Sequence, residues 1–247
     1  MRIPGLALLA MLFAWPAHGQ AQQPRLLSPP DAPEVRGELV TPATPGRHPA
    51  VILLHGSAGW RTEYIDIARA FADSGFVALV LDYYAGTGGA PIGSAEKLRK
   101  WEIWRRTVRN AADYLRSLPS VAGGRIALVG YSRGAFLAVS VGASIPSVVA
   151  VVDYFGGGGG GILPLAEEVK GLPPLLILHG QDDRIVPVSF ARELRDAAVA
   201  AGVPVEMRLF PGQRHAFNAP WSPTYSERAA RKAFAVTIAF LRARFQD

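Results

Sequence analysis

The stretch Arg125-Ile126-Ala127-Leu128-Val129-Gly130-Tyr131-Ser132-Arg133-Gly134-Ala135-Phe136-Leu137-Ala138-Val139-Ser140-Val141-Gly142-Ala143 decides the fold. Arg125–Val129 is short, apolar and partly β-branched, the pattern of a buried strand. Ala135–Ala143 reads as a buried helix. Between them lies a G-x-S-x-G pentapeptide, Gly130 to Gly134. In a strand–turn–helix context this motif marks a nucleophile elbow, a strained turn that exposes one hydroxyl. Side chains at the two glycines would collide with neighbouring backbone.

On both sides of this stretch, strand-like and helix-like segments alternate. Upstream, Glu34–Val40 reads as an edge strand and Ala50–Leu54 as a buried one. Thr62–Ser74 follows as a helix, with Thr62 a candidate cap and Ile65, Ala68 and Ala72 on one face. Phe76–Leu81 is again strand-like. Ser94–Leu118 is the longest helix, with Leu98, Trp101, Val108, Ala112 and Leu115 on one stripe and Pro119 ending it. Downstream come strands over Val148–Tyr154, Leu175–His179 and Val203–Phe210, and helices over Ser189–Ala201 and Thr224–Phe245. Such alternation predicts a mostly parallel sheet covered by helices on both faces. Gly156–Gly161 is a run of six glycines without the Lys and Ser/Thr of a phosphate loop. It is expected to be a mobile loop near the site mouth or a plain connector.

Residues 34–247 have the length of one large α/β domain. Residues 1–19 read instead as a leader: Arg2 supplies a positive start, Leu6–Trp15 an apolar stretch, and Ala17-His18-Gly19 or Gly19-Gln20-Ala21 small residues for cleavage. The apolar stretch is short for a membrane span. Export to the periplasm or the outside of a bacterium follows, with no stable membrane insertion of the mature chain. Residues 20–33, rich in Gln and Pro, form a linker. The net charge of +6 comes from scattered arginines, without a basic run interleaved with aromatics, so nucleic-acid binding is not expected. With no cysteine there is no disulfide and no thiol nucleophile.

A serine hydroxyl needs an adjacent base, and the base a carboxylate that fixes its tautomer. In this kind of fold the chain order is Ser, then Asp or Glu, then His. Downstream of Ser132 stand only His179 and His215. His215, in a loop between the last strand and the last helix, is the candidate base. Asp183, in a loop directly after a strand, is the candidate acid, with Asp182 and Asp153 as alternatives. The oxyanion of acyl transfer needs two N–H donors. Arg133, following the nucleophile, and Ser57, in His55-Gly56-Ser57-Ala58-Gly59-Trp60, are the candidates, with Ala58 next. His55 is expected to orient that loop. No metal-ligand spacing appears, and nothing calls for a cofactor.

Together these residues resemble the dienelactone hydrolase family of α/β-hydrolases. The resemblance runs from about Glu34 to Phe245, on Val51–Gly56, Leu81–Tyr84, Val129–Gly134, Asp153–Gly156, Gly180–Pro187 and Arg214–Phe217. It implies hydrolysis of a small-molecule ester or lactone through an acyl-enzyme, with Ser132, Asp183 and His215 as triad. Family namesakes use a cysteine nucleophile with a nearby glutamate, where this chain has Ser132 and Gly56. They hold a substrate carboxylate with arginines, where this chain has Gly86 and Ala219. Arg133 and Arg61 are candidate replacement charges. Trp60, Tyr84, Phe155 and Trp221 are candidate pocket walls. Two other readings compete: a peptidase of the prolyl-oligopeptidase type, and a catalytically silent hydrolase-fold binding protein.

Overall fold

Apolar segments bounded by turns assemble into one eight-stranded sheet among the described residues of this computed structural model, which are 24–28, 31–89, 94–158 and 164–246. The leader read over residues 1–19 lies outside them. In chain order the elements are β1 (Arg25–Leu26), β2 (Arg36–Val40), β3 (His48–Leu54), α1 (Glu63–Asp73) and β4 (Val77–Leu81). Then come α2 (Ser94–Ser117), β5 (Val121–Tyr131), α3 (Arg133–Gly142), β6 (Val148–Tyr154) and α4 (Leu165–Glu168). The last are β7 (Leu175–Gly180), α5 (Val188–Ala200), β8 (Val205–Phe210) and α6 (Glu227–Phe245).

Across the sheet the order is β1-β2-β4-β3-β5-β6-β7-β8. The pairings β1/β2 and β2/β4 are antiparallel and all others parallel. Successive strand residues face opposite sides, and both sides are buried. Ile52, Leu54, Leu79 and Leu128 pack with α2, α3 and α5 on one face. Val51, Leu53, Val80 and Val129 pack with α1 and α6 on the other. This is the architecture of an α/β-hydrolase.

The chain runs from β3 through α1 to β4 on one side, then returns through α2 to β5 on the other. Connections that diverge in this way leave a crevice at the carboxyl ends of the strands. The register aligns those ends: Leu54 pairs with Gly130, Gly130 with Asp153, and Asp153 with Ile177. Loops after β3, β5, β6, β7 and β8 therefore open on one edge.

Several expectations need correction. The segment Glu34–Val40 begins its strand at Arg36 and is not the edge, because β1 pairs outside it. Residues 25–26, within the expected linker, are thus tied to the sheet. Thr62 makes no side-chain cap to α1. The last helix begins at Glu227, capped by Ser226, because the Thr224 hydroxyl is committed elsewhere, donating to the His215 carbonyl. The glycine run is described only through Gly158, and its first residues are packed rather than loose. Gly156 is buried, and a Cβ there would lie 2.4 Å from the Ala135 methyl.

Candidate active site

Strand β5 delivers Ser132 into the crevice in a conformation that only a tightly packed turn sustains, with φ 53° and ψ −117°. Its amide donates to the Tyr154 carbonyl at 2.9 Å, and its own carbonyl accepts from Ala135 at 2.8 Å. The two glycines make the turn possible. A Cβ at Gly130 would lie 2.3 Å from the Gly134 carbonyl oxygen, and one at Gly134 would lie 2.1 Å from that of Leu54.

His215 arrives on the loop after β8. Its Nε2 is 3.0 Å from Ser132 Oγ and its Nδ1 is 2.7 Å from Asp183 Oδ2. A carboxylate can only accept, so Nδ1 carries the proton and the Nε2 lone pair faces the serine hydroxyl. The imidazole is held from three sides. Thr224 Oγ1 donates to the His215 carbonyl, the Phe155 ring meets the imidazole edge-on at 5.0 Å, and Ala216 turns the chain with φ 58°.

The Asp183 side chain is fully buried. Burial alone would raise its pKa, but the His215 hydrogen bond and the amides of Val186 and Ile185 outweigh it and hold the carboxyl below its usual range. Those two amides each donate to Oδ1 at 2.9 Å. His179 closes the same turn: its Nε2 donates to the Val186 carbonyl at 2.9 Å, and burial lowers its pKa and keeps it neutral.

The other carboxylate candidates stand apart from this relay. Asp182 is exposed, and its amide ties the Asp183 turn to Gln213 in the His215 loop at 2.9 Å. Asp153 is buried at the end of β6, accepts from the Gly156 amide at 2.8 Å, and is pushed up to about 7 by burial.

Ser57 and Ala58 line a cavity of about 170 Å³ in front of Ser132, together with Gly56, Phe155, Ala219 and Trp221. Arg133 is the first residue of α3, so its amide is among the first-turn donors that a helix leaves without an internal partner. The Arg133 guanidinium turns away, donating to Tyr84 Oη at 2.9 Å and to the Gly89 carbonyl at 3.0 Å. Tyr84 Oη in turn donates to the Ser57 carbonyl at 3.4 Å. Arg61 lines the cavity, paired with Glu63 at 2.7 Å and stacked 5.4 Å over Trp221. Arg61 thus carries a paired charge, and Arg133, held by neutral acceptors, is not among the lining residues. Phe155 and Trp221 are walls, as expected, whereas Trp60 and Tyr84 are not among the lining residues. His55 is fully buried, stacked on Tyr83 at 4.1 Å, with its Nδ1 2.9 Å from the Gly56 carbonyl in the loop it was expected to orient.

Sequence reasoning missed Tyr64 and Thr224. Tyr64 Oη accepts from the Gly56 amide at 3.0 Å. Thr224 fixes the base from nine residues away. Neither position carries a local signal, because both act through the folding back of a loop. Among the described residues, the non-glycine positions with positive φ are Ser132, Phe155 and Ala216, and all three line this cavity. Such strain costs roughly 1–3 kcal/mol per residue and collects at functional sites.

A sequence model described as the dienelactone hydrolase family matches residues 35–245. A Synechocystis sp. protein named provisionally as a carboxymethylenebutenolidase is 25% identical over 219 residues, covering 81% of this chain and 88% of its own length. A Bradyrhizobium sp. protein named provisionally as a 2-oxo-3-(5-oxofuran-2-ylidene)propanoate lactonase is 25% identical over 217 residues, covering 83% and 87%. Among solved structures, a dienelactone hydrolase-like promiscuous phosphotriesterase from metagenomic libraries superposes with a TM-score of 0.74 at 21% identity, covering 91% of this chain and 98% of that one.

Proposed function

Because this chain belongs to the dienelactone hydrolase family, we propose that it cleaves carboxylic esters or lactones through an acyl-enzyme formed on Ser132. Relatives named as carboxymethylenebutenolidase and lactonase support the broader statement that it is a carboxylic ester hydrolase. The observation that carries the finer reading is the continuous relay from Ser132 Oγ through His215 to the buried Asp183, at 3.0 and 2.7 Å.

Ser132 Oγ attacks the ester carbonyl while His215 Nε2 takes its proton, and Asp183 stabilises the imidazolium. Charge gathers on the former carbonyl oxygen. In this reading the amides of Arg133, the first residue of α3, and of Ser57, in the cavity wall, donate to it, and the N-terminus of α3 adds its positive end. His215 then returns the proton to the departing alcohol oxygen. A water, deprotonated by the same imidazole, releases the acid and restores the serine.

Neutral substrates fit best. Ala219 stands in the cavity wall where family namesakes carry an arginine, and Arg61 is already paired with Glu63. The experiment is labelling with a fluorophosphonate probe, beside turnover of p-nitrophenyl esters by wild type and Ser132→Ala. The expected result is labelling of wild type alone and a fall of at least about 10⁴-fold in kcat. A folded wild type that neither labels nor turns over would overturn the reading.

We further propose that residues 1–19 direct export. Arg2 followed by the apolar Leu6–Trp15 supports this. N-terminal sequencing of the mature protein tests it, and recovery of an intact Met1 in the cytoplasm refutes it.

A further inference from the structure

The 170 Å³ in front of Ser132 is small. A water-sized volume in the liquid is about 30 Å³, so this space holds on the order of six non-hydrogen atoms. Beside it, between α1 and α6, runs a groove of about 490 Å³. The two are adjacent: Ile67, Tyr131, Asn218 and Trp221 line both.

The groove has a distinct chemistry. Trp221, Tyr225 and Phe234 wall it over Tyr131 and Tyr154. The carboxylates on its rim are neutralised by arginines: Asp66 by Arg69 at 2.5 Å, Glu227 by Arg231 at 2.5 Å, and Glu63 by Arg61 at 2.7 Å. A charged tail would find no unmatched partner among these pairs, whereas a flat ring finds faces and edges of aromatic neighbours. At the junction the Asn218 side-chain oxygen is buried and has no hydrogen-bond partner. A buried acceptor without a partner is costly, and a ligand that supplies a donor relieves it.

We propose that this groove is a second subsite for the remote half of the ester: an uncharged aryl-bearing group, with a hydroxyl or N–H close to the scissile bond to satisfy Asn218. Trp221 is the partition between the reacting end and this tail. The inference rests on the serine hydrolase reading, since the groove gains its meaning from the walls it shares with the Ser132 cavity.

The test compares kcat/KM for methyl acetate with that for methyl 3-phenylpropanoate, which extends the acyl side, and 2-phenylethyl acetate, which extends the alcohol side. Each is followed by pH-stat titration in wild type, Ala230→Trp and Ala70→Trp. These substitutions fill the groove from opposite walls, α6 and α1. Circular dichroism and thermal melts identify folded variants. The expected result is that wild type prefers at least one aryl ester over methyl acetate. Each folded variant then lowers that ratio tenfold or more.

Ratios within twofold of wild type in both folded variants overturn the subsite. Ser132-dependent hydrolysis of methyl acetate would meanwhile leave the serine hydrolase reading standing. Loss of all turnover and probe labelling in wild type strikes that reading instead. The Asn218 contact has its own readout, because wild type should favour methyl 2-hydroxy-3-phenylpropanoate over methyl 3-phenylpropanoate. Asn218→Leu should erase that preference, and its persistence in the variant removes Asn218 from the proposal.

Discussion

Asp153→Asn should gain stability relative to wild type as pH rises through about 7, without costing turnover. The side chain is fully buried; Oδ1 accepts from the Gly156 amide at 2.8 Å, the Gly157 amide also favours the carboxylate, and Oδ2 has no close partner. Burial raises the pKa from 3.8 to about 7, because the cost of a charge in the core outweighs what the Gly156 and Gly157 amides return. The folded protein thus binds this proton more tightly than the unfolded chain. The associated stability is fully present below the unfolded value and is lost as pH rises through about 7.

The rise from 3.8 to about 7 spans about three pH units, each worth 1.36 kcal/mol, so the full penalty is about 4 kcal/mol. About 3 kcal/mol of it develops between pH 4.5 and pH 8. Asn keeps the acceptor for Gly156 and cannot ionise. Its unpartnered N–H groups cost a constant amount, which cancels in the pH dependence. The assay is urea unfolding of both proteins across that range. The variant's stability relative to wild type should climb by about 3 kcal/mol between the two ends. A flat difference would refute the reasoning, because it would mean Asp153 ionises in the fold as it does in the unfolded chain. Ester turnover should persist in the variant, since His215 pairs with Asp183, and its loss would restore Asp153 as a candidate acid.

Two further outcomes follow from the geometry. Gly134→Ala forces a methyl to within 2.1 Å of the Leu54 carbonyl oxygen, backbone that cannot step aside, and should destabilise by about 3 kcal/mol or more; a thermal melt unchanged from wild type would contradict the elbow packing. Tyr84→Phe removes the hydroxyl between the Arg133 guanidinium and the Ser57 carbonyl. At about 1 kcal/mol for the lost hydrogen bonding, it should lower kcat about fivefold with KM little changed, and an unaltered kcat would show that the link does not position the Ser57 loop.

Much of the fold was legible in the chain because its signals are local. The apolar runs Ala50–Leu54 and Phe76–Leu81 read as strands, which the structure places at β3 and β4, and Pro119 marks the end of α2. The G-x-S-x-G turn announces itself, because Gly130 and Gly134 are the residues that the backbone approach there tolerates. The order of Ser132, Asp183 and His215 along the chain is likewise a sequence property.

Local signals thus carry the alternation of elements, the elbow and the candidate triad residues. Which carboxylate meets His215 was settled by the folded chain, since Asp153 near the end of β6 and Asp182 and Asp183 after β7 all reach the same edge of the sheet. It alone gave Phe155 and Ala216 their positive φ, tied Thr224 to the His215 carbonyl, and set Tyr64 against the Gly56 amide. It also turned Arg133 toward Tyr84 rather than the substrate and opened the groove between α1 and α6. The physical reason is range: propensity and periodicity act over a few residues, whereas these contacts join chain segments brought together only when the sheet closes its register.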